Sequence, residues 1–164
     1  MHVVHEVHRA LEAGRAGKVR AHGEIARQLD QDRRVSGLAN DADGLAESDP
    51  YECYALLERI KKEFSGAEQS AAAEKKLAEL KENKSFMAQY EAGKLLADIM
   101  KTGAELKGIG SKPVDLSDKA CLKANRSAAT RIAGAIAALK KKHADTKYCA
   151  EALEYARRTG LLTS

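Results

Sequence analysis

Cys53 to Leu80 reads CYALLERIKKEFSGAEQSAAAEKKLAEL, and its spacing decides the fold. Cys53, Leu56, Leu57, Ile60 and Phe64 recur every three or four residues, which places them on one face of an α-helix. Ser65-Gly66 then interrupts the run, because glycine can close a helix in the left-handed conformation without a steric penalty. A second amphipathic run, about Ala67 to Glu82, follows with Ser70, Ala73, Leu77 and Leu80 on its apolar side. Helices joined by so short a turn lie antiparallel, so the unit is a helical hairpin.

The same plan returns 79 positions later. Cys53, Leu56, Leu57, Ile60 and Phe64 fall on Ile132, Ala135, Ile136, Leu139 and His143, and Ala71 and Ala73 fall on Ala150 and Ala152. His143 in place of Phe64 and Ala156 in place of Leu77 predict a second copy that packs more loosely.

Outward from the first hairpin, Asp49-Pro50-Tyr51-Glu52 is a helix start: Asp49 can accept from the open N–H groups and Pro50 suits the first helical position. Upstream, apolar faces at Val3, Val4, Val7, Ala10 and Leu11, at Val19, His22, Ile25, Ala26 and Leu29, and at Val35, Leu38, Ala39, Ala42 and Leu45 predict three short helices. Residues 1–48 are thus expected as a loosely packed N-terminal group, and residues 49–164 as the main helical domain. Within that domain, Ser85 to Leu106 has apolar residues on two sides and predicts a central helix, with Gly93 allowing another backbone to come close. The Gly108-Ile109-Gly110-Ser111-Lys112-Pro113 stretch marks a linker near 108–116. Asp115 or Ser117 is expected to cap one long helix to about Lys142, with Cys121, Ala124, Ala128, Ile132, Ala135 and Leu139 as its stripe. Asp145-Thr146 caps a last helix that Gly160 ends. The fold expected is all-α, with about seven helices.

Composition agrees. Charged residues are 32%, aromatics 4% with no Trp, and Ala, Leu, Lys and Glu dominate, a helix-forming profile. Lys and Arg number 28 against 24 Asp and Glu, and the surplus of +4 is read as spread along the chain, indicating no particular partner. No apolar run approaches the roughly 20 residues of a spanning helix. The N-terminus lacks the apolar core of a signal peptide. As written the chain is expected in the cytoplasm, or in the periplasm or outside the cell if it is a piece of a longer precursor.

Chemistry-bearing residues suggest little catalysis. Cys53, Cys121 and Cys149 are odd in number, lack CxxC spacing and sit where small apolar residues fit, so they read as packing thiols. His2, His5 and His8 fan over about 120° of a helix, a poorer chelating set than His at i and i+4, so no metal is expected. His22 and His143 lie on apolar stripes and read as structural. Gly14-Arg15-Ala16-Gly17-Lys18 lacks the spacing of a phosphate loop, while Arg33-Arg34 and Lys140-Lys141-Lys142 carry no recognised nucleic-acid motif. Neither an enzyme nor a cofactor is expected.

The repeated pair, KKEFSGAEQSAAAEKKL and KKHADTKYCAEALEYA, resembles the helix hairpins of the tetratricopeptide-like superfamily. The likeness is to bacterial envelope-type members and to the helical tails of thioredoxin-like proteins. Ser65 and Ala144 stand where those turns usually carry Pro, and the aromatic and Gly signature of the standard 34-residue repeat is lacking. The resemblance implies stacked hairpins with a groove for a peptide or partner helix. Tyr51, Tyr54, Glu58 and Arg131 are the residues it nominates for contact. It implies a non-enzymatic interaction or scaffold module. Alternatives are an accessory domain of a thioredoxin-like oxidoreductase and a weak nucleic-acid binder.

Overall fold

A computed structural model describes residue 24 and residues 27–162, and within these the protein is all-helical. Seven helices occur among the described residues: α1 over 27–45, α2 Pro50–Glu63, α3 Glu68–Glu82, α4 Lys84–Gly103, α5 Lys119–Ala124, α6 Arg126–Lys142 and α7 Lys147–Arg158. The apolar run at residues 3–12, the three N-terminal histidines, the Gly14–Lys18 turn and His22 lie outside the described residues.

The first hairpin forms as its spacing requires. Asp49 accepts from the Glu52 N–H at 3.2 Å, Pro50 takes the first turn, and Gly66 adopts φ +91° between α2 and α3. The second hairpin, α6 and α7, repeats the burial of the apolar stripe, although Tyr54 is buried and its counterpart Ala133 is exposed. Cys53, Leu57, Ile60 and Phe64 are buried, and so are Ile132, Ile136, Leu139 and His143; Leu56 and Ala135 are both half-buried. Ser70, Ala73 and Leu77 likewise match buried Cys149, Ala152 and Ala156. The turns share their hydrogen bonds too: Ala67 N–H donates to the Phe64 carbonyl at 3.0 Å, and Thr146 N–H to the His143 carbonyl at 3.1 Å.

α6 and α7 meet less extensively than α2 and α3 do, yet the smaller residues of the second copy are still enclosed. Ala156 is completely enclosed and His143 is 8% exposed. Tyr148 and Tyr155, which stand where the first copy has Gln69 and Lys76, supply the missing bulk to the second apolar cluster.

α4 is the central helix. It packs on α2 and α3 along one flank and on α6 and α7 along the other, while α2 and α6 do not touch. Gly93 makes this possible, because a Cβ there would collide with the Cβ of Tyr51. The apolar interior accordingly divides between a cluster under the first hairpin and one under the second.

Three boundaries differ from expectation. The helix expected at 35–45 is part of one continuous over 27–45, in which a single Gly37 is tolerated at about 1 kcal/mol, and most of the segment expected as a separate helix at 19–29 lies outside the described residues. α1 also joins the first cluster directly: Val35 and Ala42 are fully buried with Cys53, Leu57 and Leu77. The long helix expected up to Lys142 is broken at Asn125. Its side chain, 6% exposed, accepts from Lys107 N–H at 2.9 Å and donates to the Lys107 carbonyl at 2.8 Å and the Cys121 carbonyl at 3.0 Å. Such side-chain bonding competes with the helical ladder. The cap of α5 is Asp118, which accepts from Cys121 N–H at 2.9 Å, whereas Asp115 makes its own turn with Ser117. The break shifts the stripe, so that Ala124 is exposed and Ala128, Ala129, Ile132, Ile136 and Leu139 are buried. The connection over 104–118 is tied down by this Asn125 clamp and by Leu116 N–H donating to the Thr159 carbonyl at 2.7 Å.

Candidate functional site

The two hairpins meet at Asp49. Besides capping α2, its carboxylate accepts from the Tyr148 hydroxyl at 2.7 Å and pairs with Lys147 Nζ at 3.0 Å. The Tyr148 oxygen in turn accepts from Tyr51 N–H at 3.4 Å, and Lys147 Nζ lies 4.7 Å from the Tyr148 ring centre. Burial would raise the Asp49 pKa, but the hydrogen bonds from Tyr148, Lys147 and Glu52 outweigh it and hold the carboxyl below its ordinary value. Burial, and next the bond to Asp49, push the Tyr148 phenol well above its usual range. This is a clasp that keeps a charged acid and a neutral phenol, an arrangement suited to fixing the helices.

The nominated residues do not form one surface. Tyr51 is half-buried and Tyr54 is only 9% exposed, although both were expected beside the buried stripe. The reason is Tyr90 on α4, whose ring centre lies 6.0 Å from that of Tyr51 and 4.3 Å from that of Tyr54. Burial, then Tyr54, Tyr51 and Glu58, raise the Tyr90 pKa, which places Glu58 within electrostatic reach of the cluster. The tyrosines fill the seam between α2 and α4, and Glu58 is exposed at its edge. Arg131 stands elsewhere, paired with Glu105 at a cleft of about 420 Å³ between α4 and α6.

A different surface offers an open groove. Lys119, Leu122, Lys123, Arg126, Ala129, Thr130, Ala133 and Leu161 line a depression of about 460 Å³ along α5 and the first turns of α6. Six of these are exposed; only Ala129 is buried and Leu161 half-buried. Leu122 is 40% exposed, and Leu162, next to Leu161, is 38% exposed. Ala129, the buried residue of this lining, belongs to the small apolar cluster of Leu116, Cys121 and Ala129. Three cations edge it and no carboxylate lines it.

Charge explains why this face escaped notice. The surplus is not spread along the chain: residues 119–144 hold seven cations, Lys119, Lys123, Arg126, Arg131, Lys140, Lys141 and Lys142, and no Asp or Glu. A whole-chain total hides such a block, whereas a running count of carboxylates shows it. Of the seven, Arg131 is the one with a carboxylate partner among the described residues.

Comparison of the chain with family models, with curated proteins and with solved structures gives no significant match. Among the described residues no three His, Cys, Asp or Glu side chains group as a metal-ligand set. No helix among them is long and apolar enough to cross a membrane. All three cysteines are free and buried, and burial raises the Cys53 pKa. A raised thiol is a poor nucleophile at neutral pH.

Proposed function

We propose that the chain is a non-enzymatic, TPR-like helical interaction module that holds a segment of a partner protein against its α5–α6 face. The observation that carries this reading is the groove itself, an apolar lining with exposed Leu122 and a continuous cationic edge. Exposed apolar surface rimmed by charge is the usual anatomy of a protein-binding patch. The depression is too open to enclose a small molecule, which ordinarily loses most of its surface to a pocket. The rest of the fold serves as a frame, because α4 ties both hairpins together and the Asn125 clamp fixes the start of α6.

The test is affinity capture from the source cell with wild type and with Leu122→Asp plus Ala133→Glu, followed by reconstitution with each purified candidate. Both positions are exposed, so the variant should keep its helical circular dichroism. Direct binding by wild type and not by the variant is the expected result. Partners that bind both proteins equally refute the placement on this face.

A further inference from the structure

The α5–α6 face carries two further marks that specify its occupant. One is Gly134. Within α2–α7, glycine also occurs at Gly93, where an added Cβ would collide with the Cβ of Tyr51 so that packing inside the chain requires glycine, and at Gly103, where the Tyr155 hydroxyl occupies the space a Cβ would take. At Gly134 a Cβ would meet nothing within 4 Å, and the backbone is ordinary helix. Glycine weakens a helix interior, and nothing inside the molecule compensates for it there. A partner backbone crossing close to α6 would. Gly37 and Gly44 in α1 are open in the same way, but Gly134 adjoins Ala133, which lines the groove. Exposed Ala133, Gly134 and Ala137 give α6 a low ridge against which a second helix can pack closely.

The other mark is charge. The 119–144 block of seven cations without a carboxylate matches an occupant of opposite sign. That segment contains no Phe, Tyr or Trp, so it lacks the stacking platforms of single-strand nucleic-acid sites. We propose that this face receives an acidic amphipathic helix of a partner protein. Its apolar side meets Leu122, Ala133 and Leu161, its backbone crosses near Gly134, and its carboxylates pair with Lys119, Lys123 and Arg126. The inference rests on reading this face as a protein-binding surface.

The probe is a stapled helix of about 18 residues, roughly 27 Å long, with a leucine stripe flanked by Glu, alongside versions bearing Gln or Lys in place of Glu. Fluorescence anisotropy should show the Glu helix binding about tenfold more tightly than the Gln helix, with no binding of the Lys helix. Lys123→Glu with Arg126→Glu should remove that preference, and Gly134→Leu should abolish binding while the thermal midpoint holds or rises. Equal affinity for Glu and Gln helices would overturn the acidic partner yet leave the protein-binding reading standing, whereas no binding by any helix would sink both. Self-association lost in Gly134→Leu would name a second copy as occupant instead. Tighter binding of a DNA or RNA oligonucleotide, lost in the charge variant but kept in Gly134→Leu, would overturn the proposal in favour of nucleic acid.

Discussion

Replacing Tyr148 with Phe isolates the clasp between the hairpins. The ring is 3% exposed and remains in place, so the change removes one hydroxyl, which donates to Asp49 at 2.7 Å and accepts weakly from Tyr51 N–H at 3.4 Å. A hydrogen bond to a charged group contributes about 1.5–3 kcal/mol. The Asp49 side chain is 32% exposed, and water can replace part of the lost bond. The expected loss is therefore at the lower end, about 1.5 kcal/mol, or roughly 5 °C in thermal midpoint for a chain of this size. The assay is urea unfolding followed by helical circular dichroism at pH 7 and again in acid. The folded pKa of Asp49 lies below the unfolded value, so its contribution is complete above the unfolded value and is lost as pH falls through the folded one. Protonation turns a charge-assisted bond into a weaker neutral one. The gap between wild type and Tyr148→Phe should accordingly shrink below about pH 4. A variant as stable as wild type at pH 7, or a gap that widens as the pH falls below about 4, would refute the reasoning.

Gly134→Ala should raise stability by about 1 kcal/mol, roughly 3 °C, because the new methyl group enters open space and the helix gains propensity; thermal unfolding reads it directly. Gly93→Ala should do the opposite. Its Cβ would strike the Cβ of Tyr51, a backbone-mounted atom that cannot swing away, so chemical denaturation should show a loss of about 1–3 kcal/mol. Asn125→Ala removes the side-chain partner of the Lys107 N–H and one of the two partners of the Lys107 carbonyl and should cost about 1 kcal/mol, with hydrogen exchange at Lys107 accelerated well beyond that at α4. A thiol reagent at pH 8 should label Cys53, Cys121 and Cys149 far more slowly in the native protein than in denaturant, and prompt native labelling would contradict the burial.

Much of the fold was legible because it rests on local rules. Asp49-Pro50 and Thr146 could be named as helix starts from the chemistry of caps, and Gly66 and Gly160 as ends because left-handed backbone favours glycine. The breaks were less legible. Asn125 interrupts a sequence with strong helical character by bonding to Lys107, which is 18 residues away, and no local rule registers that. The candidate site was legible only in part. Its charge stood in the sequence as a run without carboxylates, but its groove needed α5 turned onto α6 and Leu161 brought back beside Ala129.

By itself, then, the sequence determined the helices, the two hairpins and their 79-residue correspondence, since apolar periodicity and capping act within a few residues of each other. Tertiary structure alone decided which helices flank α4 on each side and that Tyr148 reaches Asp49 across 99 positions. It also decided that Tyr54 is enclosed by Tyr90 while Gly134 faces open space. Burial depends on what the rest of the chain brings alongside a residue, and the same amphipathic stripe serves equally for an internal contact or an external one until its neighbours are in place.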